Sequence, residues 1–537
     1  MSRASAVAAM LLLAGFPAPR PLAAAPPETF RESVSVRVMD IDVVVTDAAG
    51  KPVSGLDRDA FQIRVDRRPV DVDYFAAVRD GIVSRDDLET VSPDLVLNPG
   101  EGEKSASIPR HFLIWIDEAS LSPARRRGAL GALREFVGRL GPSDEAAIVA
   151  ERGRAETLAG WTSRHDALLA ALAAIPPGSV GGLRRIERER QAIREIELGG
   201  RIERETRAHL YEEEVYEETK KTLEDLSASL SLLGDKAGKK VMIVVSEGFE
   251  LQPGAAMLAF AAHRETPDLA FRRDVTPQLR RFIERANALE TTVFAVDARG
   301  LLAPPGDAAE EAPLASRSLF ARVDVETGLQ QMAEETGGEA VLRDNDVAGA
   351  LAAIFRDVST YYSLGVNLKN VPGADSHRVE VAVSRPGLRV RARRTYLTEN
   401  EDARMEDRVR ATLLTSASYA DLSPVVRMGP PPPEGGKGLV TVDVEIPAEE
   451  LTFLPDAGHV TARAAYYFAA LGEHDEPTPV THTVQTFTLS PAEARSAKPL
   501  VERVSLKLRK GSYRLVVNVV DTPTGKMGTI RTTIRAD

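Results

Sequence analysis

The chain has 537 residues, 43% hydrophobic and 27% charged, with a formal net charge of -11 and no cysteine. That length exceeds what one hydrophobic core supports, so about three domains are expected, and the composition is that of a folded chain. Basic residues interleaved with acidic ones exclude a nucleic-acid footprint, and the lack of cysteine excludes thiol catalysis, disulfides and a lipidated cysteine.

The first residues read as a secretory signal peptide over 1–25: Arg3, an apolar run from Val7 to Phe16, then Ala23-Ala24-Ala25, with cleavage in the 22–28 stretch. The run is closed by Pro17 and Pro19 and is too short for a hydrocarbon core that needs about 20 residues. No later segment approaches 18 uninterrupted apolar residues, so the mature chain is expected to be periplasmic or secreted, with no transmembrane segment.

Strand alternation follows in a β module over 30–80. Val34, Val36 and Val38 are followed by Ile41, Val43 and Val45, with a change of phase at Met39-Asp40 that predicts a bulge or bend. A second run covers Phe61 to Val65, Val70, Val72 and Tyr74, and the polar stretch 80–107 reads as a linker. At 108 the language changes. Phe112 to Ile116 is a continuous apolar run ending at Asp117, as a strand buried on both faces of a parallel sheet requires. Leu130, Leu133, Phe136, Val137 and Leu140 recur at helical spacing, and Glu145 to Val149 is the next strand, followed by a helix over Asp166 to Ile175. Buried strands at Lys240 to Ser246 and Thr291 to Val296, with a helix around Leu279 to Leu289, continue the alternation. The predicted class over 108–360 is therefore α/β, an open, mostly parallel sheet with helices on both faces.

An insertion at 183–232, dense in Arg and Glu, reads as two long helices turning at Gly199-Gly200. A solvated surface laced with i,i+4 ion pairs is one reading of it and a partner-binding arm the other. Strand alternation returns over 361–397, and these strands can complete one sandwich with 30–80, leaving the α/β region inserted between them. Pro430 to Gly438 reads as a linker or long loop, and 411–537 as a C-terminal β-sandwich-like domain.

Ligands of open α/β sheets sit outside the carboxyl ends of the strands, which points to Asp117, to Ser246-Glu247-Gly248 and to Asp297 onward. The apolar strand to Asp117, the Trp161-Thr162-Ser163 segment, Ile243 to Gly248 and Val293 to Asp297 together resemble a von Willebrand factor type A domain. Leu329 to Gly338, Tyr361 to Gly365 and Val43 to Leu56 are similar, more specifically, to bacterial exported proteins related to that family, and the resemblance spans 34–397.

In such domains an Asp-x-Ser-x-Ser motif, a Thr and a further Asp hold Mg²⁺, which captures a partner's carboxylate. Here Asp117 matches, but Ala119 and Leu121 stand for the serines, Leu183 for the Thr and Glu247 for the second Asp. The metal set the resemblance allows is Asp117, Ser120, Ser122, Thr162 and Glu247, the two serines and Thr162 from shifted positions. A hard octahedral ion is poorly served by this set, so no cofactor is expected, with Mg²⁺ the alternative.

The eight histidines are scattered without a His-Glu-x-x-His pair, and there is no Gly-x-Ser-x-Gly elbow, phosphate loop or Rossmann fingerprint. The expected function is an exported, non-catalytic protein-protein interaction or adhesion-type protein whose partner is another protein. A Mg²⁺-dependent adhesion protein and a structural component of an envelope assembly are the alternatives.

Overall fold

The structure is a computed structural model. It describes residues 38–84, 98–99, 105–176, 181–234, 236–264, 273–300, 319–367, 376–397, 401–414, 418–430, 438–456, 459–472, 478–494 and 498–536. The signal peptide over 1–25, the strand residues 34–37 and most of the 430–438 segment lie outside the described residues. No helix among the described residues is long and apolar enough to cross a membrane.

The central sheet has six strands: β1 (Arg110–Asp117), β2 (Asp144–Glu151), β3 (Ala155–Thr162), β4 (Lys239–Ser246), β5 (Thr291–Asp297) and β6 (Ala340–Val341). Their order is β3-β2-β1-β4-β5-β6, with every neighbouring pair parallel except β3 with β2. All eight residues of β1 are buried, because successive side chains point into two different cores. Phe112, Ile114 and Ile116 meet Leu133, Phe136 and Val137 of helix α1 (Pro123–Val137), Leu172 of α2 (His165–Ala173), and residues such as Ile354 of Val347–Ser359. Leu113 and Trp115 face the other side, where Leu226, Phe282 and Met332 pack. This is the open α/β sheet with helices on both faces that the sequence predicts.

The insertion forms α3 (Gly181–Leu198) and α4 (Arg201–Ser229), turning at Gly199-Gly200. Glu203 caps α4 by accepting the Gly200 N–H at 2.7 Å. The pair is not a purely solvated surface. Leu223 and Leu226 join the core behind the sheet, while Ala192, Ile196, Ala208 and Tyr211 pack against Met257 and Ala261 of α5 (Ala255–Ala261).

Strands from both ends of this region pair with each other. Val38–Thr46 lies between Tyr361–Asn367 and Arg389–Ala392, and Phe61–Val65 pairs with Ser376–Val383. Met39, Ile41, Val43 and Val45 share one core with Phe61, Ile63, Tyr362 and Leu364. The register against Tyr361–Asn367 is continuous from Val38 to Val43, so there is no bulge at Met39-Asp40; Met39 itself is the inward residue and keeps phase with Ile41. The stretch 80–107 is also not a plain linker: Ile82–Ser84, Asn98–Pro99 and Ser105–Ser107 extend the same sheet, each too short to show periodicity.

Beyond 418, a three-stranded and a five-stranded antiparallel sheet enclose Val442, Val444, Tyr466, Phe468 and Val517. A helix over Glu401–Leu414 covers the outer face of the larger sheet with Met405, Val409 and Leu413. It also touches the central region, where Arg408 donates to the Gly234 carbonyl at 3.0 Å.

Candidate functional site

The parallel register brings Asp117 beside Glu151 and Ser246 beside Asp297, so the carboxyl edge collects the polar ends of four strands, three of them acidic. Asp117 is buried, its Oδ2 accepting from the Ser246 hydroxyl at 2.6 Å and its Oδ1 from the Ser120 N–H at 3.1 Å. Burial pushes its carboxyl up, while the bonds from Ser246 and Ser120 and the nearby Arg185 guanidinium pull the other way. The Ser120 hydroxyl lies 3.2 Å from the Asp117 carbonyl and 3.3 Å from the Ser246 oxygen, and it accepts the Glu247 N–H at 3.1 Å. Both hydroxyls are thus engaged within the edge itself.

Glu247 is 6% exposed and sits at the start of α1, where a carboxylate is favoured by the unpaired N–H groups of the first turn. Its Oε1 accepts the Ser122 N–H at 2.7 Å. Ser122 occupies the position before α1 without a side-chain cap bond. On its other oxygen Glu247 meets Arg185 of α3 at 3.3 Å and Arg125 of α1 at 3.5 Å. Neighbouring charges are paired in the same manner: Glu118 lies between Arg152 at 2.8 Å and Arg126 at 3.6 Å, and Arg299 grips Asp297 with two nitrogens.

Of the residues singled out in the sequence, Asp117, Ser120, Ser122 and Glu247 therefore meet at one edge. Thr162 does not. It pairs with Ala146 near the start of β2, five residues from the Asp117–Glu151 level, which is about 17 Å at the rise of a strand. Strand β3 runs antiparallel, so its last residue comes back to the amino edge, where the Thr162 hydroxyl accepts the Arg164 N–H at 3.1 Å. The oxygens that do converge are directed at N–H and O–H donors, with guanidinium groups against Glu247. Among the described residues no three His, Cys, Asp or Glu side chains are placed to hold one ion. This donor set does not fit Mg²⁺, which demands near-octahedral oxygens at about 2.0–2.1 Å.

Sequence reasoning did not single out Arg185, Arg125, Glu151 or Glu250. Between the edge and the insertion lies a cavity of 740 Å³ lined by these four residues, with Arg188 and Tyr211 among others. Glu151 is 2% exposed, and its Oε1 accepts the Gly153 N–H at 2.6 Å. Burial, then repulsion from Asp225 and Asp117, pushes it up to about 8. Burial likewise raises Glu250 to about 7, with Glu189 and Asp324 adding to the effect and the Gly254 N–H opposing it.

The insertion closes over this edge by backbone contact. A Cβ on Gly181 would stand 2.7 Å from the Glu118 carbonyl oxygen, and one on Gly182 would stand 2.4 Å from that of Leu121. Only glycine allows the first turn of α3 to lie so close to the loop after β1.

No family model matches the chain, and no curated protein matches it. Solved structures do. A von Willebrand factor domain of a type V pilus tip protein from Porphyromonas gingivalis matches at 12% identity and TM-score 0.27, over 47% of this chain and 95% of that one. The conserved hypothetical protein BatB from Bacteroides thetaiotaomicron matches at 16% and 0.25, over 46% and 97%. A von Willebrand factor type A protein from Catenulispora acidiphila matches at 9% and 0.25, over 89% and 73%. Scores of this size carry nothing about the activity or partners of this chain, whose fold stands on its own strand order and register.

Proposed function

We propose that this chain, with a central sheet of the von Willebrand factor A-like kind, is an exported, non-catalytic protein that binds another protein of the cell envelope or its surroundings. The observation that carries the reading is the tip of the α3–α4 hairpin. Leu198 and Ile202, on either side of the Gly199-Gly200 turn, are 89% and 79% exposed, while charged residues fill the flanking turns. An apolar pair ringed by charge is the composition of a contact patch.

The metal-free reading of the carboxyl edge is part of this proposal. Its support is that Asp117 and Glu247 meet hydroxyl, backbone N–H and guanidinium donors. The non-catalytic reading is supported by the Ser120 and Ser246 hydroxyls, which are bonded within the edge. We also read 30–80 with 361–397 as one β unit interrupted by the α/β domain over 108–360, in line with the shared pairing of Val38–Thr46 and Tyr361–Asn367, and 411–537 as a C-terminal β-sandwich-like domain.

The test is co-purification from the native envelope with wild-type protein and with a Leu198→Glu/Ile202→Glu variant. A partner retained by wild type and lost by the folded variant is expected. Equal recovery with both, or none with either, contradicts the proposal.

A further inference from the structure

We infer that the carboxyl edge of the central sheet is a guanidinium-binding site, filled in cis by Arg185 of the insertion in place of a metal ion. This rests on the metal-free reading above and names what neutralises the edge instead. Two acceptors from different parts of the chain meet one nitrogen of Arg185: the Glu247 carboxylate at 3.3 Å, after β4, and the Ser120 carbonyl at 3.5 Å, after β1. Ser120 is also the residue whose N–H holds Asp117, so the cation is bound by the same loop that fixes the strand-end carboxylate.

A second guanidinium, from Arg125, shares the Glu247 oxygen at 3.5 Å. At 3.3–3.5 Å these contacts are longer than an ordinary N–H···O bond and act chiefly as charge pairing, and a delocalised guanidinium tolerates a partly buried ion pair better than an ammonium does. Glu247, at 6% exposure, would be a costly buried charge without such a partner.

The independent observation is the docking of α3. Gly181 and Gly182 bring its first turn against residues 118–121, which places Arg185, one turn on, over Glu247. Arg185 thereby fastens the insertion to the sheet edge, and the edge is closed to a partner's carboxylate bridged by a metal. A free alkylguanidinium is the ligand this site takes once Arg185 is truncated.

The experiment uses the mature protein as wild type, Arg185→Ala, Arg185→Lys, Glu247→Gln and the Arg185→Ala/Glu247→Gln double variant. The chain has only two tryptophans, Trp115 and Trp161, both in the central sheet, so their fluorescence follows that domain alone.

Expected are a lower unfolding midpoint for Arg185→Ala and recovery of at least half the loss with millimolar ethylguanidinium. NaCl of equal ionic strength or MgCl₂ is expected to give no recovery, nor is ethylguanidinium in the double variant. Cleavage by trypsin-independent proteases within 183–232 should quicken about tenfold in Glu247→Gln and less in Arg185→Lys, so the inference stays testable if the alanine variant does not fold.

An Arg185→Ala midpoint equal to wild type, or rescue by MgCl₂ or MnCl₂ rather than ethylguanidinium, overturns the inference. Calorimetry of the wild type separates the two levels. Micromolar Mg²⁺ uptake abolished by Asp117→Ala sinks the metal-free reading, whereas a metal-free wild type with no alkylguanidinium rescue sinks the guanidinium site alone.

Discussion

Replacing Glu151 with glutamine is expected to remove a pH dependence from the central domain. Glu151 closes β2 beneath the insertion; Asp225 of α4 and Asp117 of β1 face it, and Lys221 of α4 is the cation nearby. Its carboxyl lies at about 8 in the fold against 4.5 in a free chain, so folding takes up a proton between those values. The sign follows directly: the folded group is the weaker acid, so stability is fully present below about 4.5 and is lost as pH rises through about 8. At 1.36 kcal/mol per pH unit the gap sets an upper bound of about 5 kcal/mol. Local relaxation around Lys221 and Asp225 brings the expectation to on the order of 2 kcal/mol. Glutamine keeps the shape and cannot ionise, so Glu151→Gln should match wild type near pH 4.5 and exceed it by about that amount at pH 9. Urea unfolding followed by tryptophan fluorescence across this range reads the difference. Parallel pH profiles for the two proteins, or a wild type that gains on the variant as pH rises, would refute the reasoning.

Two further outcomes follow from geometry. Gly182→Ala puts a Cβ 2.4 Å from the backbone oxygen of Leu121, so it should destabilise the central domain by about 2–4 kcal/mol and expose the insertion to proteolysis. Asp144→Ala strands the buried Arg110 guanidinium, which bonds both Asp144 oxygens at 2.7 Å; a loss of about 3–5 kcal/mol in the fluorescence-detected transition is expected.

How far the fold is legible in the residues depends on burial. Strands β1 and β4 announce themselves because both of their faces are covered, which demands unbroken apolar runs such as Phe112 to Ile116. Strand β3 does not: it lies at the sheet's edge, and Ala155–Thr162 has neither a run nor an alternation. The helix over Glu401–Leu414 carries Met405, Val409 and Leu413 at i, i+4 and i+8, a pattern present but thinned by charged neighbours. At the site, Asp117 and Glu247 are legible because strand ends of an open α/β sheet fall at one edge. Arg185 is not, since it reaches Glu247 across 62 residues from an inserted helix whose docking depends on backbone contacts at Gly181 and Gly182. Thr162 misleads for a related reason: adjacency in a motif says nothing about the edge at which an antiparallel strand ends.

The most direct test of the central claim is recovery of a protein partner from the native envelope by the wild-type chain and by the Leu198→Glu/Ile202→Glu variant, with fluorescence-detected unfolding confirming that both are folded. The account predicts a specific partner held by wild type and released by the variant, in the presence of a metal chelator as in its absence. A partner whose binding survives the tip substitutions and is abolished by the chelator would contradict it.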